Sequence, residues 1–176
     1  LSAEVVDHLL AHVQSISANS FEGEAELVLR NVRFIDPYAL VGLCLAMRCL
    51  KKSFKDVRVI PPDNFETFSY LAFMNFNEQI SSFATMSSDL SPVVSGEMSD
   101  VLVKITQIGS DNNFQEEAIG AILNNQLNFS EEDVGSYTTV VSELCHNIVD
   151  HSEDTGYLAV QRYVNHSTGR RFVMIA

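Results

Sequence analysis

The chain has 176 residues, of which 46% are hydrophobic, and it carries a formal net charge of −12. It is long enough to bury the core of one or two folded domains, and so apolar a composition excludes a disordered protein. The acidic balance argues against nucleic acid as a partner, because binding to a phosphate backbone depends on Lys and Arg.

No stretch approaches the roughly 20 consecutive apolar residues of a membrane-spanning helix, and no secretory signal is visible near the start. The three cysteines, Cys44, Cys49 and Cys145, lie in apolar helical sequence. That pattern is typical of reduced thiols rather than of a disulfide framework. We therefore expect a cytoplasmic protein without a membrane partner. Because the chain opens at Leu1 and not at Met, we also expect that its ends are trimmed.

The first half of the chain alternates between helix-like and strand-like segments. Apolar residues at helical spacing mark the helices, and the first strand has apolar residues on both of its sides, which predicts that both of its faces are covered. The alternation predicts a small α/β layer structure. In chain order the predicted elements are a helix over Ser2–Ile16, a strand over Ala25–Phe34, a helix over Leu40–Lys52 after the turn Asp36-Pro37, a strand over Asp56–Ile60 and a helix over Asn64–Met74.

A serine-rich stretch, residues 81–96, separates this half from the rest and is the best linker candidate. Residues 86–176 carry 13 acidic against 4 basic side chains, and this uneven charge also indicates two units. We expect domains at 1–85 and 100–176 with a linker at 86–99. The second domain is predicted to contain a strand over Val101–Ile108, a helix over Phe114–Leu127, a second helix from about Phe129 to His151, and a hairpin of the strands Tyr157–Val164 and Arg171–Ala176.

The second helix of this domain carries a row of polar side chains. Glu143, Asn147 and His151 are spaced four residues apart and so share one face, with Asp150 at its edge. Such a row could serve Mg²⁺ and phosphate chemistry, because Mg²⁺ prefers hard oxygen ligands and shares them with substrate phosphates. Glu143 is the candidate general base for an in-line attack. On spacing alone, a polar helix face is more often simply solvated.

The pattern Glu143-x-x-x-Asn147-x-x-x-His151 resembles the N-box of histidine-kinase-like (GHKL, Bergerat-fold) ATPases, especially the anti-sigma serine-kinase type. The long helix, the glycine turn and the hairpin after it agree with that family over roughly residues 100–176. The resemblance implies an incomplete Bergerat-type α/β sandwich. It also implies that Asn147 coordinates the Mg²⁺ of bound ATP, that Glu143 is the general base, and that His151 lies at the pocket edge. We expect Asn147, Asp150 and His151 to be the cofactor-binding residues.

Two later elements of that family are not found in the sequence. They are an Asp-x-Gly-x-Gly box that reads adenine and a glycine-rich lid over the phosphates, and the chain ends at Ala176, where the box should begin. No Gly-x-x-x-x-Gly-Lys-Ser/Thr loop replaces them. We therefore expect ATP and Mg²⁺ to bind the full-length protein, as a serine-kinase-like protein or an ATPase. We expect this chain alone to bind no cofactor well and to turn over no ATP.

The first half resembles a STAS domain of the anti-sigma-antagonist type, through the segments Glu26–Leu29, Phe34–Leu40, Val57–Ile60 and Tyr70–Phe76. The resemblance implies a mixed sheet with helices that docks on a regulatory partner protein or on the chain's own ATPase domain. Phosphorylatable members have a serine after the aspartate of the strand-to-helix turn. Asp36-Pro37-Tyr38 has none, which argues against the usual phosphoswitch. The alternative is an α/β domain without a partner function.

A zinc site is the competing explanation for the helix row, since Cys145, His146, Asp150 and His151 form a dense cluster in the sequence. Adjacent helical residues point about 100° apart, so Cys145 and His146 cannot both join the row. The sequence thus favours a bacterial regulator that couples a STAS-like module to an ATP–Mg²⁺ module. The alternative is a non-enzymatic interaction scaffold with a vestigial N-box, and a homodimer stays open under both hypotheses.

Overall fold

The computed structural model describes residues 1–16, 21–88, 101–108, 130–152, 156–164, 167–169 and 171–176. The predicted α/β class is confirmed, with two three-stranded sheets. The predicted helix over Phe114–Leu127 lies outside the described residues. Among those that are described, no helix is long and apolar enough to span a membrane. The elements in chain order are α1 (Ala3–Ile16), β1 (Phe21–Val28), α2 (Pro37–Ser53), β2 (Phe54–Ile60), α3 (Phe65–Phe73), α4 (Phe76–Ile80), β3 (Thr85–Met86), β4 (Val101–Ile108), α5 (Glu131–Ser152), β5 (Gly156–Val164) and β6 (Arg171–Ile175).

The first sheet has the order β1-β2-β3, and its described strands are all parallel. Leu27 of β1 lies opposite Val59 of β2, and Arg58 of β2 lies opposite Thr85 of β3. Parallel neighbours need crossover connections, which α2 and the α3–α4 pair supply. The sheet that the STAS resemblance implied was mixed, so this part of the expectation differs from the described strands.

The first strand ends earlier than predicted. β1 covers Phe21–Val28, whereas the sequence pattern placed a strand over Ala25–Phe34. The chain turns at Arg30, whose carbonyl accepts a hydrogen bond from the N–H of Asp63 at 3.0 Å. This bond ties the loop after β1 to the loop after β2, so the residues beyond it lead into α2 instead of extending the sheet.

One face of β1 is open, so the expectation that both of its faces are covered was wrong. Ala25 and Leu27 pack against the core. Glu24 and Glu26 point the other way, where their carboxylates lie 3.9 and 3.6 Å from the guanidinium of Arg58 in β2. All three side chains are about half exposed, so these ion pairs stabilise the fold little.

Two short elements near the predicted linker were not predicted. Asn75 separates α3 from α4 with a φ of 60°, a left-handed conformation that Asn tolerates better than most residues. β3 then pairs Met86 with Val59, and the N–H of Ser87 donates to the Val59 carbonyl at 2.9 Å. Residues 85–87 therefore belong to the first sheet, and the predicted linker from residue 89 onward lies outside the described part of the chain.

Helix α2 begins where the sequence predicts. The Asp36 carboxylate accepts a hydrogen bond from the N–H of Ala39 at 2.7 Å, and Pro37 occupies the first turn, where a missing N–H costs nothing. Lys51 and Lys52 lie in the last turn, next to the negative end of the helix dipole. Most residues of α2 are buried because the helix contacts strands of both sheets.

We expect Asp36→Ala to lower the free energy of unfolding by about 1 kcal/mol, because it removes the acceptor for the N–H of Ala39. Asp36→Asn keeps a capping oxygen and should cost clearly less. Urea denaturation followed by circular dichroism measures both variants. Equal losses would contradict the capping role and assign the effect to the charge of the carboxylate.

The second sheet has the order β4-β5-β6 and is antiparallel. The predicted hairpin of the last two strands is confirmed. Tyr163 lies opposite Phe172 in it, and their rings stack with 5.2 Å between centroids. β5 is the central strand, and its residues 156–160 are all buried. Since successive side chains of a strand point to opposite faces, the second sheet is covered on both sides of β5.

The two faces of β5 meet different helices. Tyr157 and Ala159 join the large core that α2, α3 and α4 build with the first sheet. Leu158 and Val160 pack instead with α5. One hydrophobic core therefore extends from the first half of the chain into the second, and α5 covers the opposite face of the second sheet.

Candidate functional site

Helix α5 lies on the second sheet through one apolar face. Val141 and Cys145 are each 1% exposed and pack against β4 and β5, with the partly buried Ile148 one turn further on. Near its start the N–H of Val134 donates to the carbonyl of Ser130 at 2.9 Å. The packing of Val141 and Cys145 on the sheet fixes the rotation of α5 about its axis, and with it the direction of the polar row.

The described side chains of the polar row lie outside the buried face of α5. Glu143, Asn147 and Asp150 are all exposed, as expected for residues roughly opposite Val141 and Cys145 on a helix of 3.6 residues per turn. The side chain of His151 lies outside the part of the chain that the structure describes. These three side chains are therefore accessible to a ligand, but they do not share one concave site.

A pocket of about 440 Å³ opens beside α5, between the helix and the second sheet. This volume falls in the range of small-molecule sites. The pocket includes Asn147 but neither Glu143 nor Asp150. The described residues that line it are Leu144, Cys145, Asn147 and Ile148 from α5, and Ile108, Tyr157, Leu158, Ile175 and Ala176 from the sheet side.

Gly156 lets β5 start close against α5. A Cβ on this residue would lie 2.6 Å from Cγ2 of Ile148, which is closer than carbon atoms can approach. Glycine is thus the residue that fits where the chain returns from α5 to the sheet. The close approach places Ile148 and Tyr157, two of the lining residues, on adjoining walls of the pocket.

The pocket wall is mainly hydrocarbon with one carboxamide at its edge. Such a lining suits an apolar or weakly polar group, and the Asn147 amide can both donate and accept a hydrogen bond. The Asn147 oxygen is also a hard donor of the kind that Mg²⁺ accepts. No carboxylate among the described residues lines the pocket. A metal at this edge would therefore need most of its ligands from a bound molecule or from water.

Within the described ranges, no three His, Cys, Asp or Glu side chains come together as a metal site. Cys145 faces the sheet, while His146 is exposed and its Nδ1 lies 3.5 Å from the hydroxyl of Ser142. The two neighbours thus point apart, as the helix geometry requires.

Sequence reasoning missed the apolar part of the site. Leu144 and Ile148 flank Asn147 on the helix and could have been found, because residues three and four positions apart lie side by side on a helix surface. Ile108, Leu158 and Ile175 could not, because their approach to α5 depends on strand pairing across the second sheet.

A second polar group lies on the other side of the second sheet. Gln161 of β5 accepts two hydrogen bonds through its Oε1 atom, one from the hydroxyl of Tyr70 at 2.8 Å and one from the hydroxyl of Tyr163 at 3.2 Å. Tyr70 belongs to α3, so this contact joins the two halves of the chain. No local pattern predicts this contact, because Tyr70 and Gln161 are 91 residues apart.

Both tyrosines of this group stay protonated at neutral pH. Burial raises the pKa of Tyr163 to about 12, and the nearby carboxylate of Asp36 acts in the same direction. Burial also raises the pKa of Tyr70, with smaller contributions from Tyr163 and Asp36. A protonated hydroxyl can donate, so Gln161 keeps both of its hydrogen bonds over the physiological pH range.

No protein-family model matches the chain, and no curated protein and no solved structure matches it. The resemblances to STAS domains and to histidine-kinase-like ATPases therefore rest on the sequence segments quoted above.

Proposed function

We propose that the protein is a regulator in which a STAS-like interaction module acts together with an ATP–Mg²⁺-binding module of the histidine-kinase-like type. The observation that supports this proposal best is the position of Asn147. It is the central residue of the N-box-like row, and it lies at the edge of the pocket between α5 and the second sheet.

The pocket would bind the nucleotide through its hydrocarbon wall and through the polar side chain at its edge. The hydrocarbon wall would hold the uncharged part of the nucleotide. The Asn147 oxygen would serve as the protein ligand of Mg²⁺, which offsets the charge of the phosphates. That offset is needed because the chain itself is strongly acidic, with a net charge of −12. Glu143, one turn before Asn147, would orient a hydroxyl or a water from the solvent side.

The first half would act as the regulatory partner of the second. In support, α2 contacts strands of the second sheet, and Ile105, Tyr157 and Ala159 share a core with it. A separate regulatory protein or a second copy of the chain would then compete for, or add to, this intramolecular contact. The turn Asp36-Pro37-Tyr38 lacks a serine, so we do not expect the usual serine phosphorylation to control this contact.

The test is Mg²⁺–ATP binding by the full-length protein, measured by isothermal titration calorimetry. Asn147→Ala should abolish binding, because it removes the metal ligand at the pocket edge. Thr139→Ala is a matched control on the exposed side of the same helix and should bind normally. The chain of residues 1–176 alone should show no melting shift with Mg²⁺–ATP, since it has no Asp-x-Gly-x-Gly box. Unchanged binding by Asn147→Ala would refute the ligand assignment.

The alternative is a non-enzymatic scaffold, and the position of Glu143 favours it. Glu143 is exposed and does not line the pocket, so the candidate base does not face the pocket that the candidate metal ligand borders. A native protein that binds no Mg²⁺–ATP, with or without substitutions in the row, would establish the scaffold.

A further inference from the structure

Strand β5 contributes residues both to the pocket next to α5 and to the large hydrophobic core. On one face, Leu158 lines the pocket next to α5. On the other face, Ala159 lies in the large core with α2 and α3. Tyr157 takes part in both, because it belongs to that core and also lines the pocket. A displacement of β5 on one side must therefore change the packing on the other.

The first half holds β5 by a polar contact as well as by packing. The hydroxyl of Tyr70, a residue only 9% exposed, donates to Oε1 of Gln161 at 2.8 Å. Gln161 and Tyr163 follow the buried stretch 156–160 along the same strand. Loss of the Tyr70 donor would leave a partly buried carbonyl with a poorer set of partners, which is costly in a protein interior.

We propose that the packing of α2 on β5, together with the hydrogen bond from Tyr70 of α3 to Gln161 of β5, regulates access to the pocket on the opposite face of the same sheet. The first half is then an intramolecular regulator of the second. The inference rests on the proposed function for the identity of the ligand, but not for the existence of the coupling.

The physical basis is the close packing of the layers. Protein interiors transmit small displacements because they contain few voids, and Ala159 and Leu158 are neighbouring residues of β5 that face its two opposite sides. The coupling is reciprocal. If the Tyr70–Gln161 contact changes the affinity of the pocket for a ligand by some factor, ligand binding changes the equilibrium constant for forming that contact by the same factor. A partner that pulls α3 away from β5 would alter the pocket without touching it.

Cysteine reactivity tests the proposal without any nucleotide. Cys145 lines the pocket and is 1% exposed, whereas Cys44 lies in α2 and is fully buried. Reaction with N-ethylmaleimide, followed by peptide mass spectrometry, gives both rates in one sample. Tyr70→Phe removes only the hydroxyl and should raise the Cys145 rate about fivefold, in line with the loss of one hydrogen bond. The Cys44 rate should not change.

Two further variants decide between coupling and general loosening. Gln161→Leu should act like Tyr70→Phe, because it removes the acceptor of the same bond. Tyr38→Phe is the matched control: its hydroxyl donates to Asp7 within the first half, so the Cys145 rate should stay unchanged. The proposal is overturned if Tyr70→Phe and Gln161→Leu leave the Cys145 rate unchanged, if Cys44 accelerates in parallel, or if Tyr38→Phe has the same effect. A lack of Mg²⁺–ATP binding would refute the proposed function without changing the rates of cysteine modification.

Discussion

Leu43→Ala should lower the free energy of unfolding by about 3 kcal/mol and should destabilise both halves of the chain together. Leu43 is fully buried in α2, and truncation of a buried leucine costs about 2–5 kcal/mol through lost burial and a residual cavity. The core that contains Leu43 also includes Ile105 and Tyr157 of the second sheet. Urea denaturation by circular dichroism should therefore show one transition, shifted as a whole.

The matched control is Leu144→Ala, the same substitution in the other half at a side chain that is 48% exposed. It should cost less than about 1 kcal/mol, because little apolar surface is lost from the interior. Native-state hydrogen exchange adds a local measurement: in Leu43→Ala, amides of Val59 in β2 and Ala159 in β5 should lose protection equally. If only Val59 responds, the division at 86–99 also separates two independent folding units.

Local signals explain why the three longer helices of the first half were predicted well. α1, α2 and α3 each begin within a few residues of the predicted position, because apolar spacing and caps are properties of neighbouring residues. For α3 the cap is Asn64, whose side chain accepts a hydrogen bond from the N–H of Thr67 at 2.9 Å. The hairpin of β5 and β6 was predicted for the same reason, since both strands lie within 20 residues of each other.

The limits of β1 could not be predicted from local pattern. Val28 and Phe34 continue an apolar series on one side of the predicted strand, yet they are 57% and 58% exposed. An apolar side chain does not reveal whether another layer covers it. That depends on where α2 packs, and α2 lies on the side of Leu27.

The candidate site was predicted in part for a similar reason. The four-residue spacing of Glu143 and Asn147 guarantees that they are neighbours on α5. Whether they face a cleft depends on which side of α5 packs against the second sheet. Because Val141 and Cys145 occupy that side, Asn147 reaches the pocket edge and Glu143 does not.

Gly42→Ala should destabilise the protein by about 1–3 kcal/mol, although alanine is the better helix former. Gly42 lies within α2 at the contact with α1, where an added Cβ would overlap Cγ1 of Val6. Val6 is fully buried, and a valine in a helix has one strongly preferred rotamer, so it cannot turn aside cheaply. The overpacking should exceed the gain in helix propensity of about 1 kcal/mol. Urea denaturation measures the difference.

A second substitution should reverse the sign of this effect. Val6→Ala alone removes buried methyl groups and should cost about 1–3 kcal/mol. In that background, the methyl group of Gly42→Ala enters the space that Val6 leaves, and the gain in helix propensity is then no longer cancelled. The double variant should therefore be more stable than Val6→Ala alone, with a coupling energy above about 1 kcal/mol. Simple additivity of the two losses would mean that α1 and α2 do not meet through this pair, and that the burial of α1 on α2 has another cause.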